Sequence, residues 1–295
     1  MKKVLITGAS SYIGCSFEKY VKEYYASELT IDTVDMIDGS WREKDFSRYD
    51  AVFHVAGIAH ADVGNVTEER KALYYKVNTD LTAECAQKAK EQGVKQFVFM
   101  SSIIVYGESA EIGETRIITK DTPLAPANFY GDSKVKAEEA LQALADSNFK
   151  VVILRPPMIY GKGSKGNYPL LARMACKLPF FPDVDNQRSM LYIGNLCEFI
   201  SLMIINEEEG VFFPQNKEYV RTSDMVQAIA AAHGRKIRMM KLFNPLLRLM
   251  GRLGGKTGRL VNKAFGNMVY EKGMSEYQEE YRAIGLKESV ELTEV

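Results

Sequence analysis

Short apolar runs alternate with longer amphipathic segments from the N-terminus to about residue 155. Fully apolar short runs are typical of strands buried on both faces, and the longer segments are typical of helices. Because the two alternate, the pattern predicts an α/β fold with a doubly wound parallel sheet. The predicted strands are Val4–Ile6, Leu29–Val34, Ala51–Val55, Gln96–Met100 and Val151–Leu154. The predicted helices are Ser16–Tyr25, Thr67–Gln92 and Asn128–Ala145.

The pattern becomes less regular after Arg155. Proline and glycine interrupt residues 155–166 and 179–182, and the elements that can be predicted there are shorter. We therefore expect residues 1–160 to form the sheet domain and residues 161–295 to form mainly a smaller lobe that selects a substrate. Some segments of this lobe are expected to be interleaved with the first domain.

Several polar residues lie at or just beyond the carboxyl ends of the predicted strands. Ligands bind at this edge of a parallel sheet, so we expect these side chains to line one crevice. They are Thr7, Asp35, His54, Ser101 and Arg155.

The N-terminal segment Met1–Gly14 predicts a strand, a tight turn and the start of a helix. Backbone N–H groups and the helix dipole at such a turn favour the pyrophosphate of a dinucleotide. The glycines of the usual pattern would stand at positions 8, 11 and 14, but position 11 is Ser11. We expect the Ser11 hydroxyl to bond a phosphate oxygen directly.

Composition narrows the class of protein. The 295 residues are 46% hydrophobic, and the 38 basic and 38 acidic residues balance, so no global charge favours nucleic acid. The four cysteines are far apart and suit a reducing compartment. The apolar run after Met1–Lys3 is too short for a signal peptide. We expect a cytoplasmic protein without a metal site.

The segment 235–268 contains nine basic residues and no acidic one. Basic side chains at Arg248, Arg252 and Lys256 share a spacing of four, and a second helical face carries Leu242, Leu246, Leu249 and Leu253. One interpretation is weak contact with an anionic membrane surface. The other, which we favour because Gly254-Gly255 shortens the helix, is a helix of the small lobe that is packed by its leucines.

Tyr130 and Lys134 carry the strongest chemical signal. At positions i and i+4 they share one face of the predicted helix, and a nearby ammonium group lowers the pKa of a phenol. Such a tyrosine can take a proton from a sugar hydroxyl while hydride leaves the carbon. Tyr-x-x-x-Lys also occurs by chance on helix surfaces, but Ser102 follows a buried strand at the same predicted edge, where its hydroxyl could bind the reacting oxygen.

With these residues the chain resembles the extended short-chain dehydrogenase/reductases, in the NAD-dependent epimerase/dehydratase group that acts on nucleotide sugars. The resemblance covers nearly the whole chain. The matching motifs are Thr7-Gly8 to Ile13-Gly14, Asp35, Asp45-Phe46, His54-Val55-Ala56-Gly57, Asn78, Ser101-Ser102-Ile103-Ile104-Val105-Tyr106-Gly107, Tyr130 with Lys134, Pro156-Pro157-Met158-Ile159-Tyr160-Gly161, and Arg188-Ser189-Met190-Leu191-Tyr192.

The resemblance implies a Rossmann domain, a catalytic set of Ser102, Tyr130 and Lys134, and a homodimer. It implies NAD rather than NADP, because Asp35 would bind the adenosine ribose and repel a 2′-phosphate. Ser102, Tyr130, Asn167 and Arg188 are expected to bind the substrate, with Arg188 at the nucleotide diphosphate. The residues expected to bind the cofactor are Gly8, Ser10, Ser11, Tyr12, Ile13, Gly14, Asp35, Asp45, Phe46, Val55, Ala56, Gly57, Asn78, Ser101, Tyr130, Lys134 and Pro157.

The same resemblance limits the reaction. Dehydratases of the family need an acid and a base just after the serine, where this chain has Ile103-Ile104. The expected activity is therefore 4-epimerisation or 4-ketoreduction of a UDP-sugar, in the synthesis of surface polysaccharide precursors. The alternatives are a reductase of a non-nucleotide substrate, and a cofactor-binding regulator or peripheral membrane protein without turnover.

Overall fold

The computed structural model describes residues 1–59, 66–253 and 255–295, without the Lys256 side chain. Its strands in chain order are β1 (Lys2–Thr7), β2 (Leu29–Val34), β3 (Ala51–His54), β4 (Gln96–Met100), β5 (Ile117–Ile118), β6 (Lys150–Leu154), β7 (Met158–Tyr160), β8 (Phe180–Pro182), β9 (Met190–Tyr192), β10 (Gly210–Phe212), β11 (Arg238–Met240) and β12 (Val269–Tyr270). Its α-helices are α1 (Tyr12–Tyr24), α2 (Glu68–Tyr75), α3 (Leu81–Glu91), α4 (Phe129–Leu144), α5 (Tyr168–Lys177), α6 (Ile193–Ile205), α7 (Thr222–Ala232), α8 (Asn244–Arg252), α9 (Gly255–Phe265) and α10 (Leu286–Glu294).

A six-stranded sheet in the order β10-β6-β4-β3-β1-β2 organises the first structural unit. All neighbouring strands are parallel, which confirms the predicted α/β fold and doubly wound sheet. The chain reverses its direction of travel across the sheet between β1 and β3. In such sheets, ligands bind at the carboxyl ends of the strands where this reversal occurs. The turns after Thr7 and after His54 therefore mark the expected ligand edge.

The burial of the central strands accounts for the short apolar runs in the sequence. Every residue of β3 and β4 is buried, as are the last four residues of β1 and of β6. Helix α1 packs Phe17 against Phe53 of β3, with ring centroids 5.2 Å apart. A strand buried on both faces is apolar throughout, which is the pattern that the sequence shows.

The second unit contains three short parallel strand pairs, β7 with β9, β8 with β11, and β5 with β12. Helices α5 and α10 both pack against α7. The Tyr160 hydroxyl lies 2.7 Å from the Ser289 hydroxyl and accepts a bond from Asn216 Nδ2 at 3.0 Å. These buried polar bonds join segments that are far apart in the sequence.

The division between the units differs from a boundary at residue 160. The first unit contains Met1–Gly107, Leu124–Pro156 and Leu196–Pro214. The second contains Glu108–Pro123, Pro157–Asn195 and Gln215–Val295. The segment Leu196–Pro214 belongs to the first unit because β10 extends the sheet by pairing with β6.

Helices α8 and α9 differ from the expected leucine-packed helix. Leu242, Leu246, Leu249 and Leu253 are all exposed, by 56 to 77%. Gly254, part of the glycine pair expected to end the helix, lies outside the described residues. Among the residues that are described, no helix is long and apolar enough to cross a membrane.

His54 lies inside the sheet instead of lining a crevice. Its Nδ1 accepts a bond from the Thr7 hydroxyl at 2.7 Å, and its Nε2 lies 3.0 Å from the Thr82 hydroxyl oxygen. Thr82 gives its one hydroxyl proton to the Asn78 carbonyl, so His54 Nε2 must be the donor. Thr7 and His54 are both fully buried, so the expectation that they ring an open crevice is wrong.

We expect His54 to make the fold sensitive to acid. Burial lowers the pKa of His54 from its ordinary 6.5 to about 3. The unfolded chain therefore binds one more proton below pH 6.5, and the stability that neutral His54 confers falls as the pH drops from 6.5 towards 3. Between pH 7 and pH 5 this single group lowers the free energy of unfolding by about 2 kcal/mol. Urea unfolding of His54→Gln should show a correspondingly weaker pH dependence; identical profiles for both proteins would contradict the assignment.

Candidate active site

The turn after β1 is shaped by two glycines. Gly8 has a φ of +99°, and a Cβ there would lie 3.0 Å from the backbone nitrogen of Ala56. A Cβ on Gly14 would lie 2.6 Å from Ser11 Oγ and 3.1 Å from Ile6 Cγ2. Gly8 therefore permits the turn, and Gly14 permits helix α1 to lie close against β1.

Ser11 is the N-cap residue of α1. Its Oγ accepts a bond from the Gly14 N–H at 3.1 Å, which satisfies one of the unpaired donors at the helix start. The oxygen is thus used as an acceptor, and its proton can still be donated to an anion. The remaining N–H groups of the first turn and the positive end of the helix dipole fit the pyrophosphate of a dinucleotide. The direct bond from Ser11 to phosphate stays a prediction.

The residues expected at the adenosine end lie after β2 and before β3. Asp35 is exposed, and its Oδ1 accepts a bond from the Ile37 N–H at 2.7 Å. Asp45 is also exposed and bonds the backbone and hydroxyl of Ser47. Phe46 is fully buried in the hydrophobic core. A contact with the adenine would therefore come from Asp45 and not from the Phe46 ring.

Asn78 stands in a π-helical turn, Lys76–Asp80, between α2 and α3. Its Oδ1 accepts from the Ile58 N–H at 2.8 Å, and its Nδ2 donates to the Ile58 carbonyl and to the Ser133 hydroxyl, both at 3.1 Å. A Cβ on Gly57 would lie 3.1 Å from Asn78 Oδ1 and 3.5 Å from Lys134 Nζ. Asn78 thus fixes the loop after β3 beside Lys134. π-Turns often mark functional sites.

Ser102 and Tyr130 are brought together by a close backbone approach. Ser102 caps the 3₁₀ turn Ile103–Tyr106, where its Oγ accepts from the Ile104 N–H at 3.3 Å. The N-cap Asn128 accepts from the N–H groups of Tyr130 and Gly131 at the start of α4. A Cβ on Gly131 would lie 2.9 Å from the Ile104 carbonyl oxygen. Only glycine allows α4 to lie this close to the serine turn.

The protonation chemistry of the pair is set by burial. Burial raises the pKa of Tyr130 to about 12, against the opposing effect of its hydrogen bond with Ser102. Burial also lowers the pKa of Lys134 to about 8, although the charge of Glu138 opposes this shift. Lys134 Nζ donates to the Met100 carbonyl at 2.9 Å and lies 4.5 Å from the centre of the Phe99 ring. The expected lowering of the Tyr130 pKa by Lys134 is not found, because desolvation dominates.

A buried ion pair lies one helical turn beyond Lys134. Glu138 pairs with Arg155, with 2.5 Å between Oε2 and Nη2, and also accepts a bond from the Ser101 hydroxyl. Arg155 Nη1 donates to the Tyr106 hydroxyl at 2.7 Å. Ser101 and Arg155 were expected to line a crevice, but both are buried and engaged in this network. Their side chains instead join α4 to the ends of β4 and β6.

In the second unit, Arg188 is a desolvated cation. Its Nη1 donates to the Gly266 carbonyl at 3.0 Å and to the Ser109 hydroxyl at 3.3 Å. Burial lowers the pKa of Arg188 to about 10. Within the described part of the chain it forms no ion pair with a carboxylate. Asn167 is the half-buried N-cap residue of α5.

The other expected cofactor residues occupy loops or helix starts. Ser10 is exposed in the turn after β1, and Tyr12 and Ile13 begin α1. Val55 is half-buried after β3, and Pro157 is buried just before β7. The sequence interpretation missed Asn128, Gly131 and Glu138. An asparagine before an amphipathic segment is a recognised N-cap signal, and a glutamate four residues after Lys134 shares its helix face.

We expect Ser11→Gly to change NAD affinity by less than about tenfold, because at most one good hydrogen bond is lost. Glycine is also tolerated as an N-cap, so the helix start should persist. Isothermal titration of both proteins with NAD measures the ratio. A change well beyond tenfold would show that the turn holds the pyrophosphate in another way.

We expect Glu138→Gln to lower the free energy of unfolding by about 3 kcal/mol, because Arg155 is left as a buried charge without its partner. Guanidinium unfolding measures the difference. The control is Glu139→Gln, since Glu139 is the exposed neighbour on the same helix. Equal stability of the two variants would refute a structural role for the buried pair.

Comparison with known proteins identifies relatives across most of the chain. The sequence is 33% identical to a UDP-glucose 4-epimerase of Vibrio cholerae over 287 residues, covering 90% of this chain and 86% of that protein. It is 29% identical over 283 residues to the N-acetyl-alpha-D-glucosaminyl-diphospho-ditrans,octacis-undecaprenol 4-epimerase of Escherichia coli O157:H7, covering 89% and 81%.

The fold is shared with the solved structure of UDP-glucuronic acid 4-epimerase from Bacillus cereus in complex with NAD. The TM-score is 0.72 at 17% identity, covering 98% of this chain and 96% of that one. The model of a family described as NAD dependent epimerase/dehydratase matches residues 4–220. That range includes the phosphate turn, Ser102, Tyr130, Lys134 and Arg188. The resemblance seen in the motifs is thus confirmed, and the chain belongs to the NAD dependent epimerase/dehydratase family.

Proposed function

We propose that this protein is an NAD-dependent 4-epimerase of a UDP-hexose or UDP-N-acetylhexosamine. The observation that carries the proposal is the approach of Tyr130 to Ser102, which Gly131 permits, with Lys134 one turn further along the same helix. This arrangement supplies a proton acceptor, a group to orient an oxygen, and a nearby cation. The V. cholerae relative, a UDP-glucose 4-epimerase, supports the choice of reaction.

Tyr130 acts as the acid and base in this proposal. Bound NAD would supply the reversible hydride acceptor for C4 of the sugar. Tyr130 Oη takes the proton of the C4 hydroxyl as the hydride leaves, and it gives the proton back when the hydride returns. Between these two proton transfers the 4-keto sugar rotates in the site. No net oxidation of the sugar occurs, so the cofactor ends in its starting state.

Ser102 and Lys134 assist this proton transfer. The Ser102 hydroxyl lowers the pKa of Tyr130 and so favours its phenolate form, and in this proposal it also orients the C4 oxygen. Burial raises the pKa of Tyr130 to about 12, too high for an efficient base near neutral pH. Lys134 alone does not offset this, so a further positive charge is required, and the oxidised nicotinamide ring of bound NAD would supply it beside the Lys134 ammonium.

Arg188 supports a substrate that carries phosphate. A half-buried, desolvated guanidinium without a carboxylate partner in the described residues is costly unless an anion compensates it. The planar donor fork of arginine matches the oxygens of a diphosphate. We propose that Arg188 binds the diphosphate of the substrate, with Asn167 as a further contact.

A second candidate substrate is a sugar linked through diphosphate to a lipid. The E. coli relative is by its name a 4-epimerase of an undecaprenol-linked sugar. One feature of this chain favours the same class: the Gly266 carbonyl, to which Arg188 donates, directly follows α9, the helix that carries the exposed Leu260. The Tyr130 chemistry would be unchanged, since both substrates carry a sugar on diphosphate. Synthesis of surface polysaccharide precursors stays a prediction.

We expect the purified protein to interconvert a UDP-hexose or UDP-N-acetylhexosamine and its C4 epimer without consuming NADH. Tyr130→Phe should lower kcat by roughly a thousandfold or more, because the proton acceptor is lost. NAD binding should remain intact in this variant. Product analysis by NMR, with absorbance at the reduced-nicotinamide band, measures both the reaction and the cofactor.

The control is Tyr75→Phe, since the Tyr75 hydroxyl bonds Asp132 on the surface side of α4 and has no role in the proposed chemistry. Near-normal turnover by Tyr130→Phe would refute the assignment of the base. Stoichiometric consumption of NADH with a 4-keto sugar would instead identify a 4-ketoreductase.

A further inference from the structure

Helices α8 and α9 form a hairpin whose inner seam is built from small residues. A Cβ on Gly258 would lie 3.0 Å from the Gly251 carbonyl oxygen, so the two backbones lie close together. Asn262 Nδ2 donates to the Gly251 carbonyl at 3.1 Å across the same seam. The seam between the helices thus contains glycine and asparagine, while Leu246, Leu249 and Leu260 remain exposed.

The leucines of the hairpin and of the turn before it face outward. The exposed fractions are 77% for Leu242, 56% for Leu246, 58% for Leu249, 69% for Leu253 and 57% for Leu260. Leu246 and Leu249 lie three residues apart on α8 and share one side of it, while Leu242 lies in the turn just before the helix and Leu253 directly follows it. Scattered exposed leucines are common, but a continuous row of them marks a surface that contacts another apolar phase.

The segment that carries this row has charges of one sign, although Arg252 Nε also lies 4.0 Å from a carboxylate oxygen of Glu111. From Arg235 to Met268 the chain has nine basic residues and no acidic one, although the whole chain has zero net charge. Arg248, Arg252 and Arg259 are exposed on the two helices, and Lys241 and Lys263 are exposed near their ends. An apolar row flanked by cations matches the layered chemistry of an anionic lipid surface, with acyl chains below phosphate groups.

The hairpin is fixed firmly to the second unit. Phe243 stacks on Phe180, with ring centroids 5.4 Å apart, and Asn244 Nδ2 donates to the Asp183 carbonyl at 2.8 Å. At the other end, the Thr222 hydroxyl donates to the Ala264 carbonyl at 2.6 Å. Because the hairpin is held at both ends, binding of its leucine row to a partner would also hold the second unit there.

We propose that the α8–α9 hairpin docks this protein on an anionic membrane surface, with its leucine row inserted among the acyl chains and its basic residues at the lipid phosphates. A second copy of the chain fits this surface less well. A symmetric dimer through the hairpin would bring the two basic surfaces together, and like charges across an interface oppose binding. The helices lie on the membrane in this mode and do not cross it.

The test is co-sedimentation of the full-length protein with lipid vesicles. We expect at least about tenfold tighter binding to phosphatidylcholine vesicles that contain about 30% phosphatidylglycerol than to phosphatidylcholine alone, and weaker binding at high salt. The double variant Leu249→Glu/Leu253→Glu should lose at least about tenfold of this binding, because it removes apolar contact and adds repulsion.

The matched control is Leu73→Glu/Leu292→Glu, which adds the same two charges at leucines that are 46% and 49% exposed elsewhere. Circular dichroism and thermal melting report the fold of each variant independently of any enzyme assay. Absence of binding to anionic vesicles, or equal binding by the two double variants, would overturn the proposal. So would a dimer in analytical ultracentrifugation that Leu249→Glu/Leu253→Glu alone converts to monomer, since the partner would then be a second copy.

Discussion

The buried pair of Glu138 and Arg155 is the interaction on which the chemistry of the first unit depends. Arg155 directly follows β6, Ser101 directly follows β4, and the Glu138 carboxylate on α4 binds both. The geometry of α4 relative to the sheet is thereby fixed at one point. Tyr130 and Lys134 lie on the same helix, so the contacts of Glu138 with Arg155 and Ser101 also fix their positions near the strand ends. A buried ion pair is seldom a source of net stability, but it specifies one arrangement strictly.

Close backbone contacts at two glycines further fix the positions of α4 and α1. Gly131 lets the helix start approach the serine turn, and Gly14 lets α1 approach β1. Ser11 shows why the middle glycine of the phosphate turn can be replaced. The Ser11 side chain caps α1 by accepting a bond from the Gly14 N–H. A glycine at position 11 could not make this bond. The departure from the usual pattern is therefore compatible with a turn that binds a dinucleotide.

The sequence predicted the sheet well because burial on both faces leaves an unambiguous signal. The predicted bounds of Gln96–Met100 are those of the fully buried β4. The bounds of Leu29–Val34 are also those of β2, although β2 is an edge strand in which only Leu29 is buried. It could not predict β10, since a strand of three residues has too little pattern to distinguish from a loop. It also placed His54 and Arg155 in a crevice. Position at a strand end locates a residue along the strand, but only tertiary packing decides whether its side chain faces ligand or core.

The family and its NAD cofactor could be inferred from motifs because their residues are local in sequence. The prediction that leucines pack α8 against the small lobe was wrong. Helical periodicity shows that the leucines share a face, but it does not show what covers that face. The second unit has two basic features, Arg188 and the cations of the α8–α9 hairpin, and they differ in how far solvent reaches them. Arg188 is desolvated and lacks a carboxylate among the described residues, which suits one compact anion held inside the protein. The hairpin cations remain in solvent around exposed leucines, which suits an extended surface where many weak contacts add up.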